Sequence, residues 1–125
     1  MATATAAASA SDSAINTDLQ ELHDSLIERV GELASAIGDA PDSDTVDAIV
    51  REISEVNHRV TLVGNLLFTQ QTKKISDQMQ KVRDATADVQ MAIEEVDDIT
   101  RFVKGVTAFL VLVDKVIDTA KVVLP

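Results

Sequence analysis

Residues 75–124 read ISDQMQKVRDATADVQMAIEEVDDITRFVKGVTAFLVLVDKVIDTAKVVL, and apolar side chains recur in this stretch at intervals of seven. The recurring positions form one seam: Ile75, Val82, Val89, Val96, Val103, Leu110, Ile117 and Leu124. A heptad repeat is typical of a helix that packs against other helices along one stripe. The seam therefore predicts a helix over 73–124, about 75 Å long at 1.5 Å per residue.

The glycine inside this stretch leaves one alternative open. The seam passes Gly105 without losing its register, which favours one continuous helix. A bend at Gly105 would instead divide the stretch into a third and a fourth helix. In either case residues 106–113, VTAFLVLV, give the helix an apolar surface too wide to leave in water. That surface is expected to be buried in its own bundle, between subunits or in lipid.

Two shorter helices are predicted before this stretch. Apolar residues recur at steps of three and four from Leu19 to Ile37, with Asn16 or Thr17 as the helix cap. The same steps recur from Val46 to Leu67 after a short break at 38–42. The polar residues 69–74 interrupt the pattern and predict a turn, and a continuous helix with a slip in the phase of the repeat is the alternative.

These patterns predict an all-α fold, an antiparallel helical bundle with coiled-coil-like packing. Three long helices are expected at about 16–38, 43–69 and 73–124. They form a single domain over 15–125. Residues 1–14 are rich in Ala, Ser and Thr and predict a disordered tail.

Composition and charge argue against several classes of function. The chain has no cysteine, tryptophan or tyrosine, only three phenylalanines, and a formal net charge of −10. A nucleic-acid partner is not expected, because the longest basic run is Lys73-Lys74. No glycine-rich phosphate loop or nucleophile motif is present, so we expect no small-molecule substrate, no cofactor and no enzymatic activity. Residues 1–62 alone carry a net charge of −9, which predicts a solvated acidic surface or a docking site for a basic partner.

Two places in the chain carry residue types that bind metals. Glu55 and His58 have the i, i+3 spacing used in carboxylate di-metal bundles, but such sites need a second motif of this kind, and His23 lacks it. The acidic run 94–98 lacks the glycine-containing turn of a calcium loop and predicts a solvated helix face. No metal site is therefore expected.

Targeting signals are not recognisable in the sequence. Residues 1–13 have no cationic segment followed by an apolar one, and no stretch reaches about 18 uncharged apolar residues. A cytoplasmic location is expected, although a signal-independent export route would leave no trace in the sequence.

The functional hypothesis rests on helix lengths. A third helix of about 75 Å would outrun a second helix of about 40 Å, so a homo-oligomer is expected to cover the difference. The interface is expected to comprise Val103, Val106, Phe109, Leu110, Val113, Val116, Ile117 and Leu124. The main hypothesis is a non-enzymatic interaction or assembly protein that self-associates through this seam. The alternative is a membrane-active protein, pore-forming or membrane-associating, with residues 102–124 facing lipid.

Overall fold

The computed structural model describes residues 15–94 and 99–123, and no strand occurs among them. The described residues form four helices: α1 (Thr17–Ile37), α2 (Ser43–Gly64), α3 (Lys73–Glu94) and α4 (Ile99–Lys121). The all-helical, bundle-like fold predicted from the sequence is confirmed. The predicted number of helices was wrong, because four are present where three were expected. The predicted tail at 1–14 lies outside the described residues.

The stretch predicted as one helix over 73–124 folds back on itself. A Cβ atom placed on Gly105 would lie 3.6 Å from Val89 Cγ2. In a continuous helix, positions sixteen residues apart would be about 24 Å apart. α3 and α4 therefore form an antiparallel hairpin. The alternative of a fourth helix divided from the third at Gly105 placed the boundary wrongly, because Gly105 lies inside α4. The seven-residue repeat survives since both helices turn their apolar stripe to the same core.

Both helices of the first hairpin begin at a capping side chain, and the one at Asn16 was predicted from the sequence. Asn16 Oδ1 accepts a hydrogen bond from the backbone N–H of Leu19 at 3.1 Å, which caps α1. Asp42 caps α2 through the N–H of Thr45 at 2.8 Å, and the hydrogen bonds from Thr45 lower the pKa of Asp42. α2 ends at Gly64, earlier than the predicted boundary at 69.

The two hairpins pack side by side, with α1 beside α3 and α2 beside α4. Both neighbouring pairs run parallel. Asp18 and Glu21 of α1 bind Arg83 of α3, and further along the same helices Glu28 and Glu32 bind Gln90. Likewise Glu52 of α2 binds Thr107 of α4, and further along Arg59 binds Asp114. α2 and α3 do not pack against each other among the described residues. The connection over 65–72 therefore crosses one end of the bundle diagonally.

Asn16 holds this connection in place. It is 3% exposed, and its backbone N–H donates to Leu67 O at 2.7 Å. Its side-chain Nδ2 donates to Thr69 O at 3.1 Å and to Gln71 Oε1 at 3.3 Å. One residue thus caps α1 and ties the crossing chain to the start of that helix. On the other side of the connection, Thr72 Oγ1 accepts from the N–H of Ile75 and so caps α3.

The core runs the length of the bundle and draws on all four helices. α4 contributes more buried apolar side chains to the core than any other helix does. The buried apolar side chains are Leu19, Leu22, Leu26, Leu33, Ile49, Val56, Val63, Ile75, Met79, Val82, Val89, Ala92, Phe102, Val106, Phe109, Leu110, Val113, Val116, Ile117 and Ala120.

Replacing Asn16 should separate its two roles. We expect Asn16→Ala to lower the free energy of unfolding by about 2 kcal/mol, because it removes the cap and leaves buried polar groups unpaired. Asn16→Asp keeps the acceptor for Leu19 N–H but loses the donor to Thr69 O, so its loss should be smaller. Urea denaturation followed by far-ultraviolet circular dichroism measures both. Equal losses would contradict the capping role.

A methyl group at Gly105 should be tolerated, since its nearest neighbour would lie at ordinary van der Waals distance. We expect Gly105→Ala to raise the free energy of unfolding by about 0.5–1 kcal/mol, because glycine is unfavourable inside a helix. Gly31→Ala, at an open helical position, gives the reference for propensity alone. A clear loss of stability at Gly105 together with a gain at Gly31 would contradict the packing of α4 on α3.

Candidate interaction surfaces

The apolar face of α4, predicted as an interface, lies inside the protomer. Six of the predicted residues are buried: Val106, Phe109, Leu110, Val113, Val116 and Ile117. Val103 is half-buried and packs against the core, and Leu124 lies outside the described residues. The length mismatch from which external shielding was inferred does not exist in this fold, because the fold-back of α3 and α4 removes the single long helix. Self-association through this face stays a prediction.

This buried face lies where the two hairpins meet. α4 packs on α3 within its own hairpin, and on α2 and α1 across the boundary between hairpins. We call this boundary, formed by the contacts of α1–α2 with α3–α4, the hairpin interface. Its apolar centre is bordered on each side by a row of polar contacts, and the two rows differ in composition.

The row between α1 and α3 is centred on Arg83. Its Nε and Nη2 donate to the carboxylate of Glu21 at 2.8 and 2.9 Å, and Nη2 also donates to Asp18 Oδ1 at 2.7 Å. These hydrogen bonds, that to Glu21 foremost, raise the pKa of Arg83 above its ordinary value. Further along, Gln90 Nε2 donates to Glu32 Oε2 at 2.7 Å and to Glu28 Oε1 at 3.3 Å. A shallow groove lined in part by Met79 follows this row.

The row between α2 and α4 is centred on Arg59. Its Nε and Nη2 donate to the two carboxylate oxygens of Asp114 at 2.7 and 3.0 Å, a bidentate pair. The hydrogen bonds to Asp114 raise the pKa of Arg59. Thr107 Oγ1 donates to Glu52 Oε1 at 2.9 Å, while Glu52 Oε2 is buried without a hydrogen-bond partner. One carboxylate oxygen of this row therefore lacks a hydrogen bond.

Arg29 of α1 is a charged side chain inside the core, with 0% exposure. Its Nε and Nη2 donate to the two oxygens of Glu32, the latter at 2.8 Å, and Nη1 donates to Ser25 Oγ at 3.3 Å. The guanidinium carbon lies 5.8 Å from the centre of the Phe109 ring of α4, within cation–π range. Because Glu32 also binds Gln90, this cluster joins α1, α3 and α4.

The ion pairs between helices fix how the hairpins fit together. In the part of the chain that the structure describes, Arg83 pairs with Asp18 and Glu21, and Arg59 pairs with Asp114, all across the hairpin interface. Partly exposed pairs of this kind contribute only about 0–1 kcal/mol each. Their main effect is on register, because sliding one hairpin past the other would separate every pair. These pairs therefore specify the register in which the two hairpins pack on each other.

Sequence reasoning missed most of the polar features. Arg29 follows Glu28 on a helix and looks like an ordinary surface residue, since its burial depends on the approach of Phe109. Arg83 and Arg59 were missed because their acceptors lie 55 or more positions away. Phe68, exposed on the connection at 67%, was also missed. The available signal was that Phe68 is the one phenylalanine outside the predicted C-terminal helix.

The candidate metal residues do not converge. Glu55 Oε1 accepts from Arg59 Nη1 at 3.1 Å, and His58 is exposed on α2. His23 lies elsewhere on the α1–α2 contact, near Gly64. Across residues 15–94 and 99–123, no group of three or more His, Cys, Asp or Glu side chains is placed to hold a metal ion. The acidic run predicted as a solvated face has residues 95–98 outside the described ones.

Membrane crossing by a helix requires both length and apolar content. Within the described ranges, no helix combines the two to the degree needed to cross a bilayer. Comparison with known proteins found no matching family model, no matching curated protein and no matching solved structure. The chain's own geometry is thus the basis for a functional proposal.

Removing the buried charge of Arg29 should destabilise the bundle strongly. We expect Arg29→Ala to cost about 3–5 kcal/mol, because it leaves the carboxylate of Glu32 without its buried partner and opens a cavity. The double variant Arg29→Met/Glu32→Gln removes both charges and refills the space, so most of this loss should be recovered. Chemical denaturation of the three proteins measures the difference. A double variant no more stable than Arg29→Ala would contradict a penalty from the unpaired charge.

Proposed function

We propose that this protein is a non-enzymatic helical interaction protein that assembles with further copies of itself by exchanging hairpins. In the assembly, the α3–α4 hairpin of one copy packs on the α1–α2 hairpin of another. The observation that carries the proposal is the composition of the hairpin interface: an apolar α4 face bordered by two rows of specific polar contacts. The surface that matches the α3–α4 hairpin is an α1–α2 hairpin, which a second copy of the chain also supplies.

An assembly formed by exchange would keep the ion pairs and the apolar contacts of the hairpin interface. Arg83 would meet Asp18 and Glu21 of the neighbouring copy, and the α4 face would be buried on the same apolar residues as in the monomer. The free-energy cost is then confined to the connection over 65–72 and to the entropy of association, which is why domain swapping is a low-cost route to assemblies. The exchange would be slow, since the hydrogen bonds of Asn16 to the connection must break first.

A lipid-facing role for residues 102–124 also needs the hairpins to separate, because the same apolar side chains are buried in the closed bundle. The arrangement favours assembly over this alternative. Arg59 and Asp114, on the border between α2 and α4, are matched to each other, and a lipid acyl region would leave Asp114 unpaired.

A cross-link across the hairpin interface tests the proposal. The chain has no cysteine, so Glu52→Cys/Thr107→Cys places the only two thiols on facing positions of α2 and α4. A short bis-maleimide added to the dilute monomer locks the hairpins together. After refolding at high protein concentration, size-exclusion chromatography with light scattering should show dimers for the unlocked protein and monomers for the locked one.

The double cysteine variant capped with N-ethylmaleimide is the matched control, because it carries the same substitutions without the lock. Dimers in both the locked and the capped protein would place the interface elsewhere and overturn hairpin exchange. Monomers in both, at every concentration tested, would overturn self-association. Dye release from liposomes by the capped protein alone would favour the membrane alternative.

A further inference from the structure

Three of the large apolar side chains that are exposed on the described chain lie at one end of the bundle. The others, Ile27, Val50, Met91 and Val111, lie one on each of the four helices. Ile15 before α1, Phe68 on the connection and Val122 after α4 are 37%, 67% and 77% exposed. They come from three separate elements. Large exposed apolar side chains scattered singly are ordinary, whereas several at one end of a bundle form a patch.

The contacts of the backbone place these three residues at the same end. Asn16 N–H binds Leu67 O, so Ile15 and Phe68 are each one residue from a direct hydrogen bond between their elements. α4 runs parallel to α2, as the pair Arg59–Asp114 and the pair Glu52–Thr107 fix, each with the same spacing of 55 positions. By this spacing, Val122 lies level with residue 67.

Three lysines lie at the same end of the bundle. Of the acidic residues there, Asp18 pairs with Arg83 and Asp77 with Lys73, and Asp118 is exposed one turn before Lys121. Lys73 and Lys74 begin α3, which starts at this end, and Lys121 ends α4. All three are exposed, and only Lys73 has an acidic partner among the described residues, Asp77 at 2.8 Å. We call this surface, formed by Ile15, Phe68, Val122, Lys73, Lys74 and Lys121, the lysine end.

At the opposite end of the bundle, the turn between α1 and α2 is acidic. The turn between α1 and α2, with the first turn of α2, carries four exposed acidic residues and no basic one before Arg51: Asp39, Asp42, Asp44 and Asp47. We call this surface, over residues 38–47, the acidic end. Arg101 and Lys104, near the start of α4, lie toward this end as well, so the acidic character belongs to the α1–α2 turn and the start of α2. This turn is more acidic than the lysine end, where lysines and acidic residues occur together. An anionic surface would repel the acidic end and orient the lysine end toward itself.

We propose that the lysine end docks on the surface of an anionic lipid bilayer, with the bundle closed and its axis pointing away from the membrane. Phe68 and Val122 enter the boundary between headgroups and acyl chains, and Lys74 and Lys121 pair with lipid phosphates or carboxylates. A second copy fits less well. Two lysine ends face to face would bring like charges together, and residues 38–47 of the acidic end include no large exposed apolar side chain to meet Phe68.

This docking is independent of hairpin exchange, because the lysine end is exposed in the closed monomer. The locked Glu52→Cys/Thr107→Cys protein should therefore bind vesicles as well as the unlocked one does. Failure of hairpin exchange would leave the docking intact, and the reverse also holds.

The absence of tryptophan permits a direct test in the full chain. Phe68→Trp places a single fluorophore at the lysine end, and Met91→Trp places one at a comparably exposed position, 54%, near the far end of α3. With vesicles of phosphatidylcholine and phosphatidylserine, we expect the emission of the Phe68→Trp protein to shift to the blue and to be quenched by brominated acyl chains. The Met91→Trp protein should show neither change, and both effects should weaken with added salt because exposed charges are screened.

Binding affinity gives the second measurement. Phe68→Ser should partition onto anionic vesicles about tenfold more weakly than the unmodified chain, because it loses one buried aromatic side chain. Met91→Ser is the matched control and should bind unchanged, and circular dichroism checks that both variants fold. Lys74→Glu should weaken binding to anionic vesicles, and Lys104→Glu on the far half of α4 should do so less.

Several results would overturn the proposal. Equal responses of the Phe68→Trp and Met91→Trp proteins would mean that the lysine end is not the docking surface, and no vesicle binding by the unmodified chain would mean that there is none. A blue emission of the lipid-free Phe68→Trp monomer would show that the chain itself covers the patch. A concentration-dependent blue shift without lipid, lost on adding Lys74→Glu, would assign the surface to a protein partner.

Discussion

The burial of α4 is the constraint on which the rest of this structure depends. A helix with apolar side chains around most of its circumference needs neighbours on several sides, and one hairpin partner covers only one of them. α3 covers one side, α2 covers another, and α1 closes the core through the contact of Arg29 with Phe109. The burial of the apolar surface of α4 consequently holds the two hairpins together in one bundle.

The register in which the two hairpins pack is set by polar contacts rather than by the burial of α4. Apolar contacts alone would allow the hairpins to slide past one another with little penalty, because heptad surfaces repeat along the helix. The pairs made by Arg83 and Arg59 favour one register, and the buried Arg29 adds a contact network through the partly exposed Glu32 and Gln90 that joins α1 to α3. Such contacts add little net stability when partly exposed, yet they decide which surface is an acceptable partner. The proposed exchange of hairpins between copies rests on this same fit.

The two proposals place different parts of the molecule in contact with a partner. Hairpin exchange uses the interior and is slow, because the Asn16 contacts to the connection oppose opening. Docking through the lysine end uses the exterior and needs no opening. Both meet at the connection over 65–72, which carries Phe68 and whose carbonyl of Thr69 accepts from Asn16.

The apolar spacing and the residue types were enough to determine that the chain is helical, that a cap lies at Asn16, and which residues form most of the core, since each is a local or periodic property of the chain. They did not reveal that α3 and α4 pack against each other, because a seven-residue repeat continues equally through a straight helix and through two helices that share a core, and no glycine or proline lies between Glu94 and Ile99 in the sequence. The burial of Arg29, the partners of Arg83 and the gathering of Phe68 with Val122 were decided only by the tertiary structure. Each depends on residues more than fifty positions apart, whose approach is set by how the hairpins cross rather than by anything in the neighbouring sequence.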